Sequence, residues 1–197
     1  MIKKWIKKLL NKHFWLEKWQ FVSAVVGAFI IAGAVILFVI SSQQSIGAKT
    51  ASEQINRLAT NIRTRYGARM DFWGLNTREV ISKRLFPVGM RAEKDKLVGY
   101  FNNPVEIGAD EQGTTIMPTV RQFVIAFNGL NEDQCASLAS QKFDDKFWLG
   151  VVKMSIKNEK NNQTFNWGDK EFMLPAKKSI AKTLCLNENN SVIFYFE

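Results

Sequence analysis

Residues 19–40 read WQFVSAVVGAFIIAGAVILFVI, and the reading of this run decides the architecture of the whole chain. Gln20 and Ser23 are its only polar interruptions. As a helix rising about 1.5 Å per residue it would span about 33 Å, enough to cross the hydrocarbon core of a bilayer. A cleaved signal has a shorter apolar core, about 7–15 residues, followed by a small-residue cut site. Ser41-Ser42-Gln43-Gln44 has no A-x-A pattern. The run therefore predicts a membrane anchor, with a removed signal or a fully buried soluble helix as the alternatives. Lys3, Lys4, Lys7, Lys8, Lys12 and Lys18 precede it, whereas the first base after it is Lys49. Positive charge gathers on the cytoplasmic side, so the amino terminus is expected inside and everything beyond Ile40 outside.

The same lysines explain the basic character of the chain. Residues 1–40 carry six lysines and one acid, Glu17, so +5 of the +9 net charge lies there. A nucleic-acid surface needs its basic excess on the folded domain itself. Arg63, Arg65, Arg69, Arg91 and Lys94 permit weak contact with polyanions and no more. Nucleic acid is not indicated as a partner.

Beyond the apolar run the chain changes pattern with no strong helix breaker. From Ile46, apolar residues recur at Ala51, Ile55, Leu58, Ala59, Ile62 and Tyr66, while Lys49, Glu53, Arg57, Arg63 and Arg65 take other positions. This is the period of an amphipathic helix with one face to bury. An unbroken helix from near Trp19 to near Tyr66 is expected, with Gly67 supplying a left-handed cap. The division that follows is 1–18 as a basic cytoplasmic leader, 19–40 as a transmembrane half-helix, 41–66 as its amphipathic half, and 67–197 as an exported head.

Within the head, Asn76-Thr77-Arg78-Glu79 has capping-box chemistry; Val80, Ile81 and Leu85 form an apolar stripe, and Phe86-Pro87 is expected to stop the helix. Short strands are expected at Val105–Ile107 and Thr114–Met117. Arg121–Asn128 is the clearest strand, with Asn128-Gly129 closing it as a turn. Asn131 with Gln134 caps a helix carrying Cys135 and Leu138. Strands follow at Phe147–Ile156 and Thr164–Trp167, then a helix at Ala176–Leu184 with Pro175 in its first turn, then a strand at Ser191–Phe196. The sum is an α+β fold, a largely antiparallel sheet with helices on one side.

Cys135 and Cys185 both fall in the exported part, where an even pair is read as a bridge. Two unpaired buried thiols are the alternative. Closing a loop of this size stabilises a fold by about 4 kcal/mol on the chain-entropy account.

Catalytic chemistry is poorly supplied. His13, the one histidine, lies in the lysine-rich leader, which leaves the head without a histidine base or ligand. G-x-S-x-G, P-loop and G-x-G-x-x-G patterns are missing. Asp144-Asp145 and Asp110-Glu111 read as solvated acid pairs. Trp5, Trp15 and Trp19 suit the bilayer edge; Trp73, Trp148 and Trp167 are expected in the core. No cofactor, metal site or enzymatic activity is indicated.

Several segments in order resemble one family. They are Leu58-Ala59-Thr60-Asn61-Ile62-Arg63-Thr64-Arg65-Tyr66 at the end of the long helix, Gly74-Leu75-Asn76-Thr77, and Phe86-Pro87-Val88-Gly89-Met90. Phe123-Val124-Ile125 before Gln134-Cys135-Ala136-Ser137-Leu138, and Cys185 leading into Val192–Phe196, complete the set. With the basic leader and the long helix, the chain is similar to type IV pilins, and in detail to the type IVb, PilS-like branch. The resemblance implies a long amino-terminal helix packed on an antiparallel sheet, with a disulfide-closed carboxy-terminal region. It implies a structural subunit, major or minor, that self-assembles through its helix into a filament serving adhesion, conjugation or related surface functions. It further implies an inner-membrane stage in the lipid bilayer, an assembly machinery and a prepilin peptidase. In that family the peptidase cuts after glycine, and a glutamate five residues into the mature chain meets a neighbour's amino terminus. Here no glycine precedes the apolar run, and a cut after Lys12, before His13, makes Glu17 fifth; a cut before Phe14 makes it fourth. A membrane-anchored scaffold subunit of a secretion or conjugation machine shares the anchor and the α+β exterior without needing the continuous helix.

Overall fold

The computed structural model describes residues 25–36, 47–67, 71–110, 121–141 and 150–197. The chain forms two compact units, Met1–Gln43 and Gln44–Glu197. In the first, residues 25–36 are helical and present apolar side chains outward all round; Phe29 is 74% exposed and Ile30 and Ile31 are each 67% exposed. Among the described residues no helix is long and apolar enough to cross a membrane. The ends of the predicted run, and the join that would make one continuous helix to Tyr66, lie outside the described residues.

The second unit begins with helix α1, residues 47–66. Its buried face is Ala48, Ala51, Ile55, Leu58, Ala59, Ile62 and Tyr66, the stripe that the sequence period predicts from Ala51 onward. Each large side chain so buried stabilises the fold by about 1.5–3 kcal/mol. The expected cap differs: Gly67 does not take a left-handed φ.

Among the described residues seven antiparallel strands follow: β1 (Arg91–Glu93), β2 (Lys96–Val98), β3 (Pro104–Asp110), β4 (Gln122–Leu130), β5 (Val151–Lys157), β6 (Asn162–Asn166) and β7 (Asn190–Phe196). Their spatial order is β1-β2-β3-β4-β7-β5-β6. The last strand in sequence sits between β4 and β5, and its side chains alternate between buried and half-exposed. Val192, Phe194 and Phe196 point inward, while Ser191, Ile193 and Tyr195 stay half-exposed. The register pairs Phe123 with Phe196 and Ile125 with Phe194 on one side, and Phe194 with Met154 on the other. These inward residues form one core with α1 and with helices α3 (Glu132–Ala139) and α4 (Lys178–Leu184). Helix α2 (Thr77–Ser82) contributes Val80 to the same core.

Four local expectations are corrected. First, α2 stops before Phe86-Pro87, in a double backbone closure: Leu85 N–H donates to the Val80 carbonyl and Arg84 N–H to that of Ile81. Arg84 takes the left-handed position at φ 52°, where glycine is usual. Second, Asn128-Gly129 makes no turn. Gly129, at φ 68°, lies where the β4–β7 register shifts, so β4 continues through a bulge to Leu130. Third, β1 and β2 form a hairpin that the polar run Arg91-Ala92-Glu93-Lys94-Asp95-Lys96 did not announce. Fourth, α4 begins at Lys178 after Lys177 as its cap, leaving Pro175 outside the helix. The strand expected at Thr114–Met117 and the start of that at Phe147–Ile156 lie outside the described residues.

Candidate assembly surface

Helix α1 has two faces with opposite chemistry. Opposite its buried stripe, Lys49, Glu53, Arg57, Thr60, Asn61 and Thr64 are exposed. Beside them runs an open groove whose far wall is Phe86, Pro87 and Val88. Asn61 closes one end by donating from Nδ2 to the Leu85 carbonyl at 2.8 Å. Val88 is 95% exposed there. The groove thus sets polar side chains of α1 against an apolar wall. Among the described residues no group of three His, Cys, Asp or Glu side chains is placed to hold a metal ion.

The carboxy-terminal end of α1 is held by Arg63, which reads in the sequence as a surface charge. Arg63 Nε donates to the carbonyl of Glu197 at 3.0 Å, and Glu197 N–H donates to the Gly150 carbonyl at 2.8 Å. The guanidinium lies over the rings of Phe196, 5.3 Å from its centroid, and Phe123, at 6.0 Å. Burial lowers its pKa from the ordinary arginine value. Gly150 makes room for it: at φ 89°, an added Cβ would fall 1.8 Å from Arg63 Nη2. The available signal was position. Arg63 follows Ile62 and sits one turn before Tyr66, at the margin of the buried stripe.

Cys135 and Cys185 are bonded, with S–S 2.09 Å and Cα atoms 6.1 Å apart. The bridge ties α3 to the residue that ends α4. Both supports are readable locally. Asn131 and Gln134 exchange side-chain and backbone hydrogen bonds in a full capping box, which fixes the start of α3. At the other end the buried Asn190 amide donates to the carbonyls of Leu130 and Leu186, and its oxygen accepts from Leu186 N–H. The α2 cap is half of that arrangement. Asn76 accepts from Glu79 N–H, but the Glu79 carboxylate pairs with Lys83 instead of reaching back. That pairing lowers the Glu79 pKa and raises that of Lys83, in each case chiefly through the shared hydrogen bond.

Two tryptophans expected in the core are surface residues: Trp73 is 60% exposed and Trp167 is 48% exposed, its indole N–H donating to the Val151 carbonyl. Trp148, Glu17, Lys12, His13, Phe14 and the Asp144-Asp145 pair lie outside the described residues, as does Glu111.

Comparison with known proteins decides between a filament subunit and a scaffold. A protein-family profile described as Bundlin matches residues 41–184, well over half of the chain. The chain belongs to the bundlin family. It is a type IVb pilin: a structural, non-enzymatic subunit of a type IV pilus, which self-assembles into the extracellular filament. Among solved structures, the pilin is similar to TcpA, a type IV pilin from the Vibrio cholerae El Tor biotype. The identity is 12% and the TM-score 0.52, with 77% of this chain and 99% of the other covered. It is also similar to a type IVb pilin from Salmonella typhi, at 16% identity and TM-score 0.50, with 74% and 97% of the two chains covered. At such identities these likenesses speak for the fold. A search of curated proteins found no match. Membership in the family removes the scaffold reading.

Proposed function

We propose that the pilin waits in the inner membrane as a single-pass protein before assembly, with residues 1–18 cytoplasmic, 19–40 in the bilayer and the head from 67 onward exported. Residues 41–66 join anchor to head as the amphipathic half of one helix. The observation that supports this reading is the order of patterns along the chain. Six lysines precede an apolar run, and a helix with one buried face follows it. A segment apolar all round is stable in lipid or against copies of itself. Transfer from membrane to fibre therefore exchanges one apolar environment for another, and a repeated non-closing contact yields an open filament.

A prepilin peptidase removes the leader near Lys12, His13 and Phe14 in this reading, and the assembly machinery draws the mature chain into the fibre. Glu17 then meets the amino terminus of an adjacent subunit, because a carboxylate in apolar surroundings is costly unless paired. Intact-mass measurement of subunits from purified pili tests the cut. The expected mass lacks residues 1–12 or 1–13. A full-length mass in assembled pili would contradict both the processing step and the role given to Glu17.

A further inference from the structure

We propose that the loop carrying Tyr100 and Phe101 is a second membrane contact, which seats the base of the head in the lipid headgroup layer before the subunit enters a fibre. The inference rests on the anchor reading above and adds a site to it.

The loop lies against the first turn of α1. A Cβ built on Gly47 would stand 3.1 Å from the Tyr100 ring and 3.2 Å from the Phe101 ring. A side chain at Gly47 would make both rings give by a few tenths of an ångström. Tyr100 N–H donates to the Gln54 side-chain oxygen at 3.0 Å, which pins the loop about two turns farther along the same helix. The loop closes on itself through Asn102 N–H to the Gly99 carbonyl, 3.0 Å, with Asn102 at φ 59°. Buried Asn103 ties it to the Asn128 carbonyl at 3.0 Å. The backbone is thus held in place while Tyr100 remains 45% exposed, its ring edge-on to Phe101 with centroids 5.5 Å apart.

Position gives this exposed ring its partner. Six residues separate Ile40, the last of the apolar run, from Gly47. They reach at most about 25 Å when fully extended and about 10 Å as a helix. Tyr100, packed beside Gly47, is thus tied to the end of the apolar run by chain length alone. Tyrosine with its polar tip and apolar ring is enriched at membrane–water interfaces, and cations there favour anionic lipid. Two exposed cations accompany it: Lys49 in the first turn of α1, and Arg91, which donates to the Asn102 side chain. A second copy of the chain is the competing occupant of the same ring.

The test uses the full chain in vesicles of phosphatidylethanolamine and phosphatidylglycerol, with the native bridge intact. Single cysteines replace Phe29, Asn102 or Lys170, each labelled without reductant by a polarity-sensitive fluorophore and challenged with lipids bearing a nitroxide on the headgroup or the acyl chain. The expected result is acyl-chain quenching at 29, severalfold stronger headgroup quenching at 102 than at 170, and loss of most of the quenching at 102 when Tyr100→Ser is added. No quenching at 29 would overturn the anchor and this inference with it. Quenching at 29 without quenching at 102 would overturn the inference alone, as would shielding at 102 that appears only in assembled fibres. Quenching at 102 that Tyr100→Ser leaves unchanged would assign the proximity to the tether and remove the ring's role.

Discussion

Residues 25–36 and residues 47–66 are both helical, yet they solve opposite problems. The first segment is apolar in every direction, and its large side chains are exposed. The second is apolar on one face, and that face is buried against the sheet of its own chain. Helix formation is thus common to both, and the arrangement of side chains around the axis determines where each finds its partner. A one-sided stripe is satisfied within the chain; an all-round apolar surface needs lipid or other copies. The difference separates a segment satisfied by its own chain from one that needs a partner outside it.

The sharpest way to break this contrast is to remove what holds the head alone. Replacing Cys135 and Cys185 together by serine is expected to lower head stability by about 4 kcal/mol, read from urea unfolding by circular dichroism. Next in size, Leu58→Ala should cost about 3 kcal/mol in the same measurement, because Leu58 is fully buried in the core. Ile31→Ala in the first segment should leave the head's unfolding midpoint unchanged while weakening recovery of pili. Equal loss of head stability from both substitutions would erase the distinction. Asn131→Ala removes a cap that accepts from Gln134 N–H, and about 1 kcal/mol of stability should go with it.

The smallest expected effect concerns pH and sharpens the picture of the head surface. Asp169 accepts hydrogen bonds from the backbone N–H groups of Phe172 and Glu171, which hold its pKa below the ordinary aspartate value. A depressed carboxylate contributes stability that is present above its unfolded-state pKa and lost as pH falls through the folded-state value. Glu79 is depressed too, chiefly by its bond to Lys83, and follows the same sign. Acid titration of the head's stability should therefore show a shallow loss below the ordinary carboxylate range, and Asp169→Asn should reduce that slope.

The features the sequence made legible are those governed by nearby residues or strict periodicity. The α1 stripe, the Asn131 cap and the strand at the carboxy terminus each depend on neighbours within a turn or a strand, and each is found as expected, whereas of the box at Asn76 only the Asn76 half forms. The bridge was legible for another reason, since two cysteines in an exported domain leave one pairing. Contacts across long sequence separations were not legible. Arg63 reads as one more exposed base until β7 brings Glu197 and Phe196 to it, and Gly150 reads as part of the strand expected at Phe147–Ile156 until that guanidinium fills the space beside it. Asn128-Gly129 misled because the dipeptide suits a hairpin turn and a bulge alike; pairing with Asn190 chose the bulge. Trp73 and Trp167 misled in the other direction: bulk suggested burial, yet much of each ring stays in water. The groove beside α1, a candidate surface only, needed the chain to return past Phe86 and Val88, which no local pattern states.

The direct test of the account is crosslinking within assembled pili. A photo-reactive phenylalanine analogue placed at Phe29, with the same group at Lys170 as a comparison, reports what covers each position in the fibre. The account predicts subunit-to-subunit adducts from position 29, forming a ladder of covalent multimers, and few from 170. Intact pili in which position 29 yields no adduct between subunits would contradict it.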